Sequence, residues 1–209
     1  MEMNVPEFDK IAREVFAPVY PALASQIKEK SGKDRGTCLD IGCGGGYLGI
    51  AMAGITDFKV YLFDQSQEML QIASQNIVSR GVQDKVETLW GDVHEIPLED
   101  GSIDLAMSRG SVFFWQDHCK AFREIYRVLK PGGIAFIGGG FGSNELKEQV
   151  AAEMQRRDLE WRGRTKNHNS DDNLMRYRSA LRQSGIPSYD AARNETGLWV
   201  TIRREADAL

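Results

Sequence analysis

The sequence predicts an α/β fold, a mostly parallel sheet with helices on both faces, and three observations predict it. Short apolar, β-branched runs alternate with helical patterns through most of the chain. A glycine-rich turn follows the first of those runs, and sheets of this kind bind ligands at the carboxyl ends of their strands. The chain has 209 residues, 42% of them hydrophobic and 27% charged, enough for one domain with a full core and too few for two of that size.

In chain order, residues 8–30 read as one or two helices interrupted at Pro18 and Pro21. "TCLDI" (37–41) and "KVYLFD" (59–64) read as buried strands, and "KVETLWGD" (85–92), "IDLAMSR" (103–109) and "GIAFIGG" (133–139) continue the series. Between them, "SQEMLQIASQNIVSRG" (66–81) sets Met69, Leu70, Ala73 and Ile77 on one face and ends at a glycine suited to a C-cap. "HCKAFREIYRVLKPGG" (118–133) does the same with Phe122, Ile125 and Leu129, and its helix stops at Pro131. Residues 188–204 read as two strands about a turn at Gly197. With no internal repeat or linker, residues 1–209 are expected to form a single domain. Its parts are an N-terminal helical lid (1–30), a core (37–141), and C-terminal helices with the last two strands (142–209).

A net charge of −4 argues against nucleic acid or an anionic membrane surface as a partner. The first residues lack the order of a signal peptide, and no run approaches the roughly 18 apolar residues of a membrane span. Cys38, Cys43 and Cys119 show no CxxC spacing, so no disulfide framework and no metal are expected, and the thiols read as reduced and cytoplasmic.

The turn itself is "CLDIGCGGGYLG" (38–49). Its glycines let the backbone approach something bulky: a phosphate, a dinucleotide, or the amino-acid end of S-adenosylmethionine. Gly44, Gly46 and Gly49 form a G-x-G-x-x-G match, but Gly42 already follows the strand, and counted from there the sixth position is Tyr47. D-x-G-x-G-x-G from Asp40 describes the stretch better. Asp64, at the end of the second predicted strand, suits a ribose diol in either kind of nucleotide, and equally suits a helix N-terminus.

Together with "YLFDQS", "GDVHEIPLEDGSIDLAMSRGS" and "RVLKPGG" in that order, the turn resembles the class I S-adenosylmethionine-dependent methyltransferases. The likeness covers roughly residues 37–141 and is nearest to the type-11, ubiquinone-biosynthesis-like branch that acts on small molecules. "SRGSVFFWQD" and "IGGGFG" are similar to a bacterial and archaeal subgroup of it. The resemblance implies a Rossmann-like, seven-stranded sheet with an antiparallel C-terminal strand, S-adenosylmethionine as cofactor and S-adenosylhomocysteine as product. It also implies that Gly42, Gly44 and Gly46 make room for the methionine portion, with Asp40 near its amino group and Asp64 at the ribose. Asp92 then accepts from the adenine amino group and the Val93 backbone serves the ring; Gln65, Met69, Ser108 and Arg109 complete the cofactor set.

Methyl transfer from a sulfonium is an in-line displacement, in which good positioning is worth up to roughly 7–11 kcal/mol; a soft thiol acceptor then requires no strong base, whereas an oxygen or nitrogen acceptor can call for one. His94 and Tyr20 are the candidate bases. His118 and Cys119 sit at a predicted helix start, and His168 lies in a polar stretch as a solvated residue. Phe113, Phe114 and Trp115 follow the fourth predicted strand and either wall an acceptor pocket or cover the next helix; Phe16 and Tyr20 either close that pocket as a lid or pack in the core. Arg109 is suited to the carboxylate of the cofactor, to an anionic substrate, or to a structural acid. Residues 156–182 hold eight Lys/Arg against four Asp/Glu, with Trp161: a grip for a polyanion or a solvated face. After the fourth strand stands Ser108-Arg109-Gly110-Ser111, unlike the Asn-Pro-Pro-aromatic signature of methyltransferases of exocyclic base nitrogens. The expectation is a methyltransferase of a small-molecule acceptor, monomeric or homodimeric. The alternatives are an RNA or protein methyltransferase, a non-catalytic cofactor-binding module and, more distantly, a dehydrogenase.

Overall fold

The computed structural model describes residues 4–157 and 168–206. Helix α1 (Val5–Glu14) starts at Asn4, whose side chain accepts from the Glu7 N–H. Helix α2 (Val19–Ser31) starts at Pro18. Pro21 lies in its first turn, where a missing N–H leaves no intrahelical bond unmade, so the N-terminal region is two helices and Pro21 interrupts neither.

Seven strands follow: β1 (Arg35–Ile41), β2 (Asp57–Asp64), β3 (Val86–Trp90), β4 (Ile103–Arg109), β5 (Leu129–Gly140), β6 (Tyr189–Asn194) and β7 (Gly197–Arg203). They pair in the order β3-β2-β1-β4-β5-β7-β6. The first five are parallel, and β7 runs antiparallel between β5 and β6. The intervening helices are α3 (Tyr47–Ile55), α4 (Gln67–Arg80), α5 (His118–Val128), α6 (Asn144–Arg157) and α7 (Asp171–Ser184).

Helices α2, α3, α4 and α6 cover one face of the sheet, burying Leu23, Met52, Ile77 and Val150 with Leu62 and Met107. On the other face α5 and α7 bury Phe122, Ile125 and Leu181 with Leu39 and Ala106. Central strands covered on both faces need apolar residues in succession, and Leu105, Ala106 and Met107 of β4 are all fully buried. No helix among the described residues is long and apolar enough to cross a membrane.

One boundary moves. The helical pattern read through to Pro131 ends at Val128, and Leu129 is extended and pairs with Ile103. The register then shifts between Ile103 and Leu105, so "LKPGG" is an irregular start to β5. Leu129 keeps the apolar phase of the helix because it enters the same core.

β1 stands between β2 and β4, and the strand order reverses there. The loops leaving β1 and β4 therefore part on opposite sides of a crevice at the carboxyl edge of the sheet. Residues 96–100, between β3 and β4, are tied to α5 by Arg127. Its Nη1 donates to the Leu98 carbonyl and to Asp100, its Nη2 to the Ile96 carbonyl and to Glu124, and its Nε to Glu124 again. Glu124 also accepts from the Ile96 N–H, and the pairing draws its carboxyl below the usual range. Arg127→Met is expected to destabilise the fold by about 2–3 kcal/mol, read by urea unfolding, because two carbonyls and a half-buried carboxylate lose their donor together.

Candidate active site

A cleft of about 1570 Å³ opens above the carboxyl ends of β1, β2, β4 and β5. The turn after β1 hooks onto β2: the N–H groups of Gly42 and Cys43 both donate to the Phe63 carbonyl, at 2.8 and 3.1 Å. Gly42 has φ +66°, and a Cβ there would lie 2.3 Å from Ser111 Cβ. Gly44 has φ +53°, and its Cβ would meet nothing nearer than 4.0 Å, at Met69 Sδ and Phe8 Cε1. Gly46, which the resemblance placed beside the cofactor, is not part of the cleft wall; its Cβ would strike Leu62 Cδ1 at 2.5 Å. Of these three glycines, Gly44 leaves room for a ligand, while Gly42 and Gly46 let the turn close on its own neighbours. Gly44→Ala is accordingly expected to cost about 1–2 kcal/mol of backbone strain and to weaken cofactor binding in calorimetry. Gly42→Ala adds a clash to the same strain and is expected to lower the melting temperature more.

Asp64 lines the cleft and takes the helix-start role expected of it. Oδ2 accepts from the Gly44 N–H and Oδ1 from the Ser66 N–H, each at 2.9 Å, so it braces the turn and the start of α4 at once. Gln65 and Met69 line the cleft beside it, and Gln65 is fixed through its carbonyl, which accepts from the Trp90 indole. Asp40, at the end of β1, is only 2% exposed, yet it lines the cleft. Its Oδ2 accepts from the Gly49 N–H at 2.8 Å. Burial pushes its pKa up to about 7, against the pull of the Gly49 N–H and with a further push from Asp64.

Asp92 and His94 form a closed unit. Asp92 Oδ1 accepts from the His94 N–H and meets the ring Nδ1, while the ring Nε2 accepts from the Asp117 N–H at 3.2 Å. An Nε2 that accepts leaves the ring proton on Nδ1, facing Asp92. The backbone bond from His94 comes first in holding the Asp92 carboxyl below its usual range. Both ring nitrogens of His94 are thus engaged, and neither is free to take a proton from an acceptor. The Val93 side chain is buried in the core below.

Ser108 does not reach the cleft. It is fully buried, its hydroxyl 2.6 Å from that of Ser111, and Ser111 donates onward to the Ile41 carbonyl. Ser111 forms the wall, and Ser108 supports it from behind. Arg109 does line the cleft, and its Nε donates to the Gly140 carbonyl at 3.3 Å. Its guanidinium carbon lies 4.4, 5.7 and 6.0 Å from the ring centres of Phe16, Tyr20 and Phe141. Among the described residues no carboxylate pairs with it; burial lowers its pKa, but a guanidinium stays charged.

Phe16 and Tyr20 line the cleft from the N-terminal side, Phe16 stacked on Phe141 and Tyr20 on Tyr47. Burial raises the Tyr20 pKa, with Arg109 pulling the other way, so its hydroxyl stays protonated at neutral pH and is no base. The three aromatics after β4 divide. Phe113 stacks on His168 at 4.3 Å, Phe114 is 71% exposed at the rim, and Trp115 packs edge-on to Phe122. His168, expected in solvent, is half-buried in that stack, and burial lowers its pKa. His118 starts α5, donates from Nε2 to the Val112 carbonyl and packs on Tyr177; Cys119 is half-buried against the same core.

Trp161 and residues 158–167 of the basic stretch lie outside the described residues. Of the remainder, Arg156 and Arg157 pair with Glu153, Arg157 also pairs with Glu14, and Arg178 donates to the Ala191 carbonyl. Among the described residues no group of three or more His, Cys, Asp or Glu is placed to hold a metal.

A family described as a methyltransferase domain matches residues 39–137. A crystal structure from Methanococcus maripaludis, assigned as an S-adenosyl-L-methionine-dependent methyltransferase, is 41% identical over 100% of this chain and 99% of its own, with a TM-score of 0.94. This chain belongs to the S-adenosylmethionine-dependent methyltransferase family. Its curated relatives include the rice chloroplastic 2-methyl-6-phytyl-1,4-hydroquinone methyltransferase 1, 34% identical over 48% of this chain and 30% of that protein. A Haemonchus contortus phosphoethanolamine N-methyltransferase, crystallised with phosphomonomethylethanolamine and S-adenosylhomocysteine, is 26% identical over 81% of this chain and 38% of its own, with a TM-score of 0.59. The chain thus spans less than half the length of these last two relatives. S-adenosylmethionine is the cofactor of the family, and the residues present fit it. Gly44 leaves an open cradle, and the buried Asp40 carboxylate beside it has the charge to meet an ammonium group.

Proposed function

We propose that this methyltransferase acts on a small-molecule acceptor, bound between the N-terminal helices and residues 109–115. The carrying observation is a single cleft whose glycine-and-carboxylate half runs into an aromatic half. The bound cofactor supplies a methyl group on a positively charged sulfur, already activated for in-line displacement. Asp40 and Gly44 receive its amino-acid end and Asp64 its ribose, with Gln65 and Met69 alongside. Asp92, its Oδ1 held by His94, offers its other oxygen to the adenine amino group, and the Val93 backbone serves the ring. Phe16, Tyr20, Phe113, Phe114 and Trp115 exclude water and orient the acceptor.

No residue acts as a strong base in this reading, because His94 is engaged at both nitrogens and Tyr20 keeps its proton. Catalysis then rests on alignment, worth up to roughly 7–11 kcal/mol. The names of the relatives, a hydroquinone methyltransferase and an enzyme crystallised with phosphomonomethylethanolamine, support a small acceptor. The internal pairing of Arg156, Arg157 and Arg178 speaks against a grip on RNA.

The test has two stages. Calorimetric titration of the purified protein with S-adenosylhomocysteine is expected to give micromolar binding. Transfer of label from methyl-labelled S-adenosylmethionine is then measured on small thiols, amines, phenols and acids, and on RNA and protein. A folded protein that does not bind S-adenosylhomocysteine, or that labels only RNA or protein, overturns the proposal.

A further inference from the structure

Arg109 brings a positive charge into the aromatic half of the cleft, and no carboxylate among the described residues compensates it. Its faces are taken by Phe16 and Phe141 and its Nε by the Gly140 carbonyl. Among the described residues its Nη edge has no carboxylate within ion-pair distance, and Tyr20 is the polar group beside it. A half-buried guanidinium that meets no anion among the described residues carries a desolvation cost that an arriving anion offsets. The guanidinium hydrogen-bonds the Tyr20 side chain, and its remaining N–H groups form part of a fork that matches a carboxylate or phosphate.

We propose that Arg109 binds the anionic group of the acceptor, so that the substrates are small carboxylic acids or phosphate esters. The inference rests on the cleft being the methyltransferase site argued above. Position favours the acceptor over the cofactor's own carboxylate. The cofactor residues stand at the ends of β1, β2 and β3, whereas Arg109 leans the other way, onto Gly140 at the tip of β5. Strands lie about 4.8 Å apart, so the β5 tip is two spacings, roughly 10 Å, from β1. Gly139, Gly140 and Gly197 line the cleft, and Gly140 and Gly197 face each other across β5 and β7. This absorbs the glycine run "IGGGFG": a Cβ at Gly139 would strike Phe113, at Gly140 the Trp199 ring, and at Gly197 the Gly139 carbonyl.

The other charged groups of that wall narrow the choice. Lys147 is drawn away by the Glu195 carbonyl, and Glu148 and Glu195 line the cleft as acids. An anion therefore finds its place at Arg109, and the acceptor's apolar part meets Phe16, Phe141 and Phe113. The nucleophilic atom of the acceptor then points back toward β1. Its lone pair forms the bond to the methyl carbon, the carbon–sulfur pair returns to sulfur, and the acceptor's proton leaves to water.

The test uses inorganic phosphate and butyrate as probes, titrated into the protein saturated with S-adenosylhomocysteine. Wild type is expected to bind at least one of them in the millimolar range. Arg109→Gln is expected to weaken that binding at least tenfold, and Arg109→Lys less, since it keeps the charge and loses the fork. Affinity for S-adenosylhomocysteine stays within threefold in both variants, and circular dichroism shows both folded, with melting temperatures lowered only by the lost Gly140 bond and ring contacts. Three results overturn the inference. Neither probe binds wild type; or a probe binds Arg109→Gln as well as wild type; or Arg109→Gln loses tenfold toward S-adenosylhomocysteine while 5′-methylthioadenosine, which lacks the carboxylate, binds unchanged. Failure of wild type to bind S-adenosylhomocysteine at all counts instead against the cofactor reading.

Discussion

Asp64→Ala is expected to weaken S-adenosylhomocysteine binding about a hundredfold, and to destabilise the free protein by about 2–3 kcal/mol. The second figure follows from two bonds. Gly44 and Ser66 each donate a backbone N–H to this carboxylate, and hydrogen bonds to charged groups are worth about 1.5–3 kcal/mol apiece when the donor is left dry. Both donors are half-buried, so water recovers part of that. The hundredfold loss, about 2.7 kcal/mol, joins a missing acceptor for the ribose to a Gly44 no longer held in its left-handed turn. Asp64→Asn separates the contributions. Its amide keeps the shape and one accepting oxygen, so stability should fall by half as much while binding still suffers. Calorimetry and urea unfolding read the two quantities. A folded Asp64→Ala protein that binds within threefold of wild type ends the ribose assignment; unchanged stability ends the bracing argument.

What was legible in the sequence follows from how local each signal is. β4 was readable because a strand covered on both faces shows apolar residues in succession, here Leu105, Ala106 and Met107 after Ile103. The start of β5 was not, since Leu129 serves the core whether the chain there is helical or extended, and periodicity cannot tell these apart. Pro21 misled because a proline breaks a helix only beyond its first turn. That Asp64 and Gly44 border the cleft was legible because each stands at or just past the carboxyl end of a strand visible in the sequence. Ser108 and Ser111 are three residues apart at the end of a strand, and only the fold decides which faces the cleft. His94 and His168 were misread for another reason: the groups that occupy them, Asp117 and Phe113, belong to other segments of the chain. The aromatic cage around Arg109 escaped for the same reason, being assembled from α2, β4 and the chain just before α2 and after β5.

Asp40 carries the most distinctive prediction, because its two effects have opposite signs. A carboxyl whose pKa rises from 3.8 to about 7 on folding binds its proton more tightly in the native state than in the unfolded one. Between those values the native state holds more protons, so stability falls as pH rises from about 4 to about 7, and stays low above. At 1.36 kcal/mol per unit, the cost of the charged form is on the order of 4 kcal/mol. Asp40→Asn removes that cost, and is expected to be more stable than wild type at pH 8 and nearly equal at pH 4. Binding runs the other way. An ammonium group beside Asp40 favours the charged carboxylate, so in wild type cofactor binding must expel a proton below pH 7, and affinity should drop nearly tenfold per unit there. In Asp40→Asn this slope vanishes, and affinity at pH 8 falls below wild type because the ammonium has lost its counter-charge. Urea unfolding at pH 4 and 8, with calorimetry in buffers of different ionisation enthalpy, reads both. A wild-type affinity that stays flat from pH 5 to 8 would mean that no cation comes to rest beside Asp40. The cost borne by the free protein would then have no functional counterpart in the complex, and the amino-acid end of the cofactor would have to be placed elsewhere along the turn.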